Sequence, residues 1–204
     1  MLKGSLSHSW AGENLFGFRG KFIQYTYEVG QLQIMISLIR DNCDFLQQGI
    51  YLLERHSPDS YMKSDPGTFG SGVGPHMRHV LDHYASFISG VELGIINYDD
   101  RERNTLVERS LDACIQKARE LLATLHGLAI DGDAPVEVIA SANTFGGKAD
   151  LSESTLAREL QFLASHTVHH YALIAIASRL QGIMPDKQFG IAPSTLKYLQ
   201  TVES

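Results

Sequence analysis

Apolar residues recur at helical spacing along four stretches of the chain, and proline, glycine and polar residues fill the gaps between them. Leu32, Met35, Ile36, Ile39, Leu46, Ile50 and Leu53 predict a first helix over 31–54. The stretch 56–74 contains Pro58, Pro66 and four glycines and reads as a loop. A second helix is expected from Pro75 to Ile96, because proline suits a first helical turn, where its missing N–H would have no partner. Leu106, Ala113, Ala118, Leu121, Leu122 and Leu125 predict a third helix over 103–128. A fourth is expected over 154–180, capped by Ser152 or Ser154 and ended by Gly182 and Pro185. A short last helix begins near Pro193.

Two segments fall outside this periodicity. Over 130–150, Val136, Val138 and Ala140 alternate and Asn143 to Gly147 supply turn residues, which suits a small β-ribbon or an irregular loop. Residues 1–28, rich in Gly, Ser and aromatics, read as an N-terminal arm of no assigned role, leaving 29–204 as a single domain. The expected fold is all-α: an up-and-down four-helix bundle with a small irregular or β-ribbon insertion before the last long helix.

Composition narrows the function. The chain has 204 residues, enough for one full-sized core, with 44% hydrophobic and 20% charged residues. With 17 basic against 23 acidic residues and no basic run, no nucleic-acid partner is expected. The longest apolar stretch, Tyr171 to Ala177, is too short to span a bilayer, so no membrane partner is expected either. The N-terminus lacks a signal-peptide pattern. Cys43 and Cys114 lie far apart in helical segments and are expected to be buried, reduced thiols, which suits the cytoplasm. Helices one and three carry more apolar residues than one seam needs, so a homodimer is expected.

The chemistry lies in the histidines. Six of the nine fall in two clusters: His76, His79 and His83 on helix two, and His166, His169 and His170 on helix four. Residues four apart share a helix face, so His166 and His170 can point two imidazoles at one ion. His170 lies in the middle of the seam formed by Leu156, Leu160, Leu163, Thr167, Ile174 and Ala177, with His166 close beside it. His169 is rotated about 100° from His170, toward the seam's edge. On helix two, the apolar side carries Met77, Tyr84, Ile88, Val91 and Ile95. His79 lies well away from its centre and His76 and His83 somewhat closer, so periodicity alone does not choose His79. Asp82 is a candidate to orient a ring nitrogen, and equally a solvated carboxylate.

The order of these pieces resembles the DinB/YfiT-like family of metal-binding four-helix bundles, over about residues 30–182. The resemblance rests on Gly74 followed five residues later by His79, and on His166 and His170 in HxxxH spacing. It implies that His79, His166 and His170 hold one divalent ion. His76 and His83 are extra to the family pattern, and with His169 and Asp82 they are candidate outer-shell residues or alternative ligands. Many relatives continue the second motif with Arg-Gly-Gln, where this chain has Tyr171-Ala172-Leu173.

Three imidazoles leave a coordination position open, as catalytic zinc sites do. Zinc or nickel, and after them iron, suit such ligands. The expected function is a metal-dependent enzyme acting on a small-molecule substrate by hydrolysis or thiol transfer, the thiol itself being a candidate partner. The alternative is a non-catalytic metal-binding or stress-response protein. Two further features invite a role. Asp99 and Arg101 suit an ion-pair latch, or Arg101 and Arg103 an anion site. The segment Phe189–Thr195 is placed to cover the site or simply to start a helix.

Overall fold

The computed structural model describes residues 13–64, 71–100, 105–142 and 150–202, and side chains from residue 32 onward. Among these residues it has seven helices: α1 (Glu13–Leu53), α2 (Pro58–Met62), α3 (Val73–Leu93), α4 (Leu106–Arg109), α5 (Leu111–His126), α6 (Leu156–Leu180) and α7 (Pro193–Val202). Three strands accompany them: β1 (Ile95–Asn97), β2 (Pro135–Ala140) and β3 (Asp150–Thr155). The all-α up-and-down four-helix bundle expected from periodicity is therefore corrected. The fold is mainly helical with a three-stranded mixed sheet of order β1-β2-β3. β1 runs parallel to β2, with Ile96 opposite Val138, and β2 runs antiparallel to β3, with Val138 opposite Ser152.

The correction has a local cause. Gly94 adopts φ 71° and donates its N–H to the Gly90 carbonyl at 2.9 Å, so α3 stops at Leu93. The apolar Ile95 and Ile96, which continue a helical pattern, instead enter a strand. Alternation along β2 buries Val136 and Val138, as expected for a sheet with one face on the core.

Other boundaries move for identifiable reasons. α1 begins at Glu13, so much of the supposed arm is helix, while residues 1–12 lie outside the described residues. The loop after α1 holds α2, started by a capping box in which Ser57 and Ser60 serve each other's backbone N–H. Helix three is split: Ser110 accepts from the Ala113 N–H and starts α5 afresh after the single turn of α4. Thr155, not Ser152 or Ser154, caps α6, accepting from the Arg158 N–H. The Asn143–Gly147 turn and Pro66 lie outside the described residues.

The core lies among α1, α3, α5 and α6. α1 packs on α5 and α6, and α3 packs on the same two helices. Leu46, Ile50 and Leu53 of α1 meet Met77, Leu81, Tyr84 and Phe87 of α3, Leu121 and Leu125 of α5, and Leu160, Leu163, Tyr171 and Ile174 of α6, all nearly or fully buried. Each such side chain contributes about 1.5–3 kcal/mol of transfer free energy. Cys43 and Cys114 are free, buried thiols, as expected. Among the described residues no helix is long and apolar enough to cross a membrane.

The sheet matters to the site because it joins the ends of the two histidine-bearing helices. β1 leaves the C-terminus of α3, and β3 enters the N-terminus of α6 directly. The two helices thus begin and end at one level and run past each other.

Candidate metal centre

The shared level sets a simple register. His83 lies ten residues before the end of α3 (93 − 83), and His166 lies ten residues after the start of α6 (166 − 156). The two rings accordingly face each other, stacked with centroids 4.0 Å apart. One turn further along, His79 faces His170 with centroids 4.5 Å apart. Each helix therefore contributes an i,i+4 pair, and the four rings close into one cluster. His79 is also 4.4 Å from His83 and 4.9 Å from His166, and His166 is 4.5 Å from His170.

Within this cluster, His79, His83 and His166 bring one ligand nitrogen each to within 4.8 Å of one another, a group that could hold a metal ion. Two nitrogens bound to one ion at ~2.0–2.1 Å stand ~3.3 Å apart in a tetrahedral shell. His166 Nε2 and His170 Nε2 are 3.2 Å apart, which meets that spacing as it stands. The tautomer of His83 is set by the backbone: its Nδ1–H donates to the His79 carbonyl at 2.9 Å. The Nε2 lone pair is then left for a ligand. Metal-bound histidines typically engage their second nitrogen in this manner. Imidazole nitrogen donors on two core helices thus fit a divalent ion of the zinc, nickel or iron type.

Of the residues singled out from sequence, His79 and His166 fall in the three-histidine group, and His83 takes the third place in it. His170 lies alongside. Its Nδ1 is 3.1 Å from His76 Nδ1. Burial, then the neighbouring His166, His76, His169 and His83, push the His170 pKa down to about 3. Burial, then His169, also lowers that of His76. These rings are therefore neutral at pH 7, the form that binds metal. His169 is exposed, its ring centroid 5.1 Å from that of His170. The Asp82 carboxylate takes an ion pair from Arg78 at 2.9 Å, and Arg78 also reaches Glu108 at 3.3 Å.

The signal for His83 was present in the sequence. His79 and His83 repeat on α3 the spacing that marked His166 and His170 on α6. Two residues had no sequence signal. Tyr98, just after β1, stacks on His83 with centroids 5.1 Å apart, and Phe162 stacks on His166 at 5.5 Å. Tyr98 donates its hydroxyl to Glu159 Oε2 at 3.0 Å, and Ser154 donates to Glu159 Oε1 at 2.5 Å. Glu159 is 95% shielded (5% exposed), so these bonds hold a buried carboxylate behind the histidines. Burial, with the Glu159 carboxylate adding to it, raises the Tyr98 phenol pKa and keeps it a donor.

The remaining candidates lie elsewhere. Asp99 accepts from the Ser141 hydroxyl at 2.6 Å, while Arg101 and Arg103 lie outside the described residues. In the 189–195 segment, Phe189 stacks on Tyr171 at 4.4 Å. Ile191 to Ser194 close a cleft of about 570 Å³ with Leu38, Phe45 and Val168. That cleft is lined by none of the six clustered histidines, so the segment packs on another side of α6.

No family model matches the chain, and no solved structure matches it. Among curated proteins it is similar to FK506-binding protein 5 of Rhizopus delemar, 29% identical over 107 residues. That overlap takes in 52% of this chain, which spans 28% of that protein's length.

Proposed function

We propose that this protein is a divalent-metal-dependent enzyme acting on a small molecule, its ion held by His79, His83 and His166. The observation that carries the reading is the convergence of three imidazoles from two core helices, one of them with its tautomer set by a backbone carbonyl. Three protein ligands leave a position for a water or a thiol. When bound, the ion would supply Lewis acidity, lowering the pKa of that water or thiol for hydrolysis or thiol transfer at neutral pH. The protein's own groups do the rest. His83 is held by the His79 carbonyl and by the Tyr98 ring, and Phe162 backs His166. The resemblance to DinB/YfiT-like proteins supports the same centre with His170 in place of His83, so the two ligand sets share His79 and His166. The likeness to FK506-binding protein 5 adds no support for a binding activity here, because it covers so little of that protein.

A second reading, a non-catalytic metal-binding or stress-response protein, is favoured by the 3.2 Å approach of His170 Nε2 to His166 Nε2. With His170 as a fourth ligand, a tetrahedral shell closes, whereas an ion that accepts a fifth ligand still keeps a position.

The test is element analysis of untagged protein, followed by cobalt(II) substitution. About one ion per chain is expected, with a visible spectrum that changes on adding cysteine, glutathione, mycothiol or bacillithiol. A bound ion whose spectrum ignores every small ligand supports the second reading. No bound ion after incubation with zinc, nickel or iron overturns both.

A further inference from the structure

His170 is flanked on both ring nitrogens by other histidines. Its Nε2 faces His166 Nε2 at 3.2 Å and its Nδ1 faces His76 Nδ1 at 3.1 Å. A neutral imidazole carries one N–H and one lone pair, so it can donate on only one of these sides. Without an ion, the proton has two self-consistent placements along the row His76–His170–His166. In one, His76 donates to His170, which donates to His166. In the other, His166 donates to His170, which donates to His76.

Were His166 to hold an ion through Nε2, the first placement would be excluded, because that nitrogen would have no lone pair to accept with. His166 Nε2 would then carry no proton either. As a fourth ligand, His170 would turn its Nε2 lone pair toward the ion and carry its proton on Nδ1. The group facing that proton is His76 Nδ1, which must accept.

We propose that His76 is a positioning residue of the metal centre: by accepting the His170 Nδ1–H, it holds His170 in the tautomer that presents Nε2 to the ion. The inference rests on the metal-binding reading above in the form with His170 as a fourth ligand, and adds a residue to it. His76 is half-buried on the first turn of α3, and its ring centroid is 5.3 Å from that of His170. It acts through His170 rather than on the ion. Partners of this kind typically change metal affinity 10–100-fold.

The experiment is a zinc competition titration against a chromophoric chelator, with wild type, His76→Leu and His76→Asn. The Asn side chain offers an acceptor oxygen near the position of Nδ1, whereas Leu offers none. His76→Leu is expected to bind zinc about 10–100-fold more weakly, and His76→Asn to stay within a few-fold of wild type. Long-range ¹H–¹⁵N spectra of the zinc-loaded wild type should show His170 protonated on Nδ1 and His76 on Nε2. This readout needs no variant, so it stands even if His76→Leu fails to fold. Equal affinity for all three proteins, equal weakening in both variants, or a zinc-loaded His170 protonated on Nε2 each overturns the inference while leaving the metal centre intact. A wild type that binds no zinc overturns the metal reading and this inference with it.

Discussion

Replacing His166 by alanine should remove most of the thermal stabilisation that zinc confers. His166 belongs to both ligand sets, and its ring lies against those of His79, His83 and His170. The ligands come from helices α3 and α6, separated by more than eighty positions in sequence (166 − 83). An unfolded chain cannot assemble them, so the ion binds the native state preferentially and its binding free energy adds to stability. At a free zinc concentration ~100 times the dissociation constant, that stabilisation is ~2.7 kcal/mol. For a chain of this size, each kcal/mol moves the melting temperature by ~2–4 °C, so wild type should gain ~5–11 °C. In His166→Ala the gain should fall below ~2 °C, because first-sphere loss reduces affinity by more than the concentration range can recover. The variant also loses packing on Phe162 and His83, so its metal-free melting temperature drops as well. The quantity to compare is therefore the zinc-induced shift of each protein against its own metal-free state, by circular dichroism. An equal shift in wild type and His166→Ala would refute the placement of the ion, and no shift in wild type would refute its existence.

The other expectations follow from particular side chains. His79→Ala should nearly abolish zinc binding in calorimetry, whereas His169→Ala, at an exposed position, should leave it measurable; the reverse order would mean a different face of α6 binds the ion. His56 is buried between the hydroxyls of Ser60 and Ser178, each 3.0 Å away, and burial, then Arg55, lowers its pKa. The unfolded chain therefore takes up a proton here before the folded one does, so this contribution to stability is complete above the unfolded value of ~6.5 and is lost as pH falls below it. Urea melts at pH 7.5 and 5.5 should show wild type losing more stability on acidification than His56→Gln, and parallel losses would count against it. Asn42 is fully buried, donates to the Leu38 and Leu160 carbonyls at 2.9 and 3.0 Å, and accepts from the Tyr84 hydroxyl at 2.9 Å. Asn42→Leu leaves these groups short of partners and should cost on the order of 3 kcal/mol in chemical denaturation; a loss under half of that would show that water or rearrangement replaces them.

The helical core was legible in the chain because an amphipathic helix writes its buried face at a fixed period. The seam Leu156, Leu160, Leu163, Thr167, Ile174 is the buried side of α6, and the pairs at i,i+4 placed the histidines on helix faces before any packing was known. Local signals also marked the short last helix at Pro193 and the alternation of Val136 and Val138. What local pattern does not carry is which distant segments meet. Ile95 and Ile96 look the same in a helix as in a strand; the left-handed turn at Gly94 and the parallel pairing to Glu137–Ile139, some forty residues on, decide the matter. That pairing sets the level at which α3 and α6 pass each other, and so it sets His83 against His166 and His79 against His170. Period alone ranked the three histidines of α3 by their angle to an apolar face. Tertiary packing ranked them instead by what lies opposite, burying His83 between Tyr98 and His166 and leaving His76 to face His170. Side-chain identity supplied the donors, but the antiparallel passage of two helices, levelled by a small sheet, determines which nitrogens can share an ion.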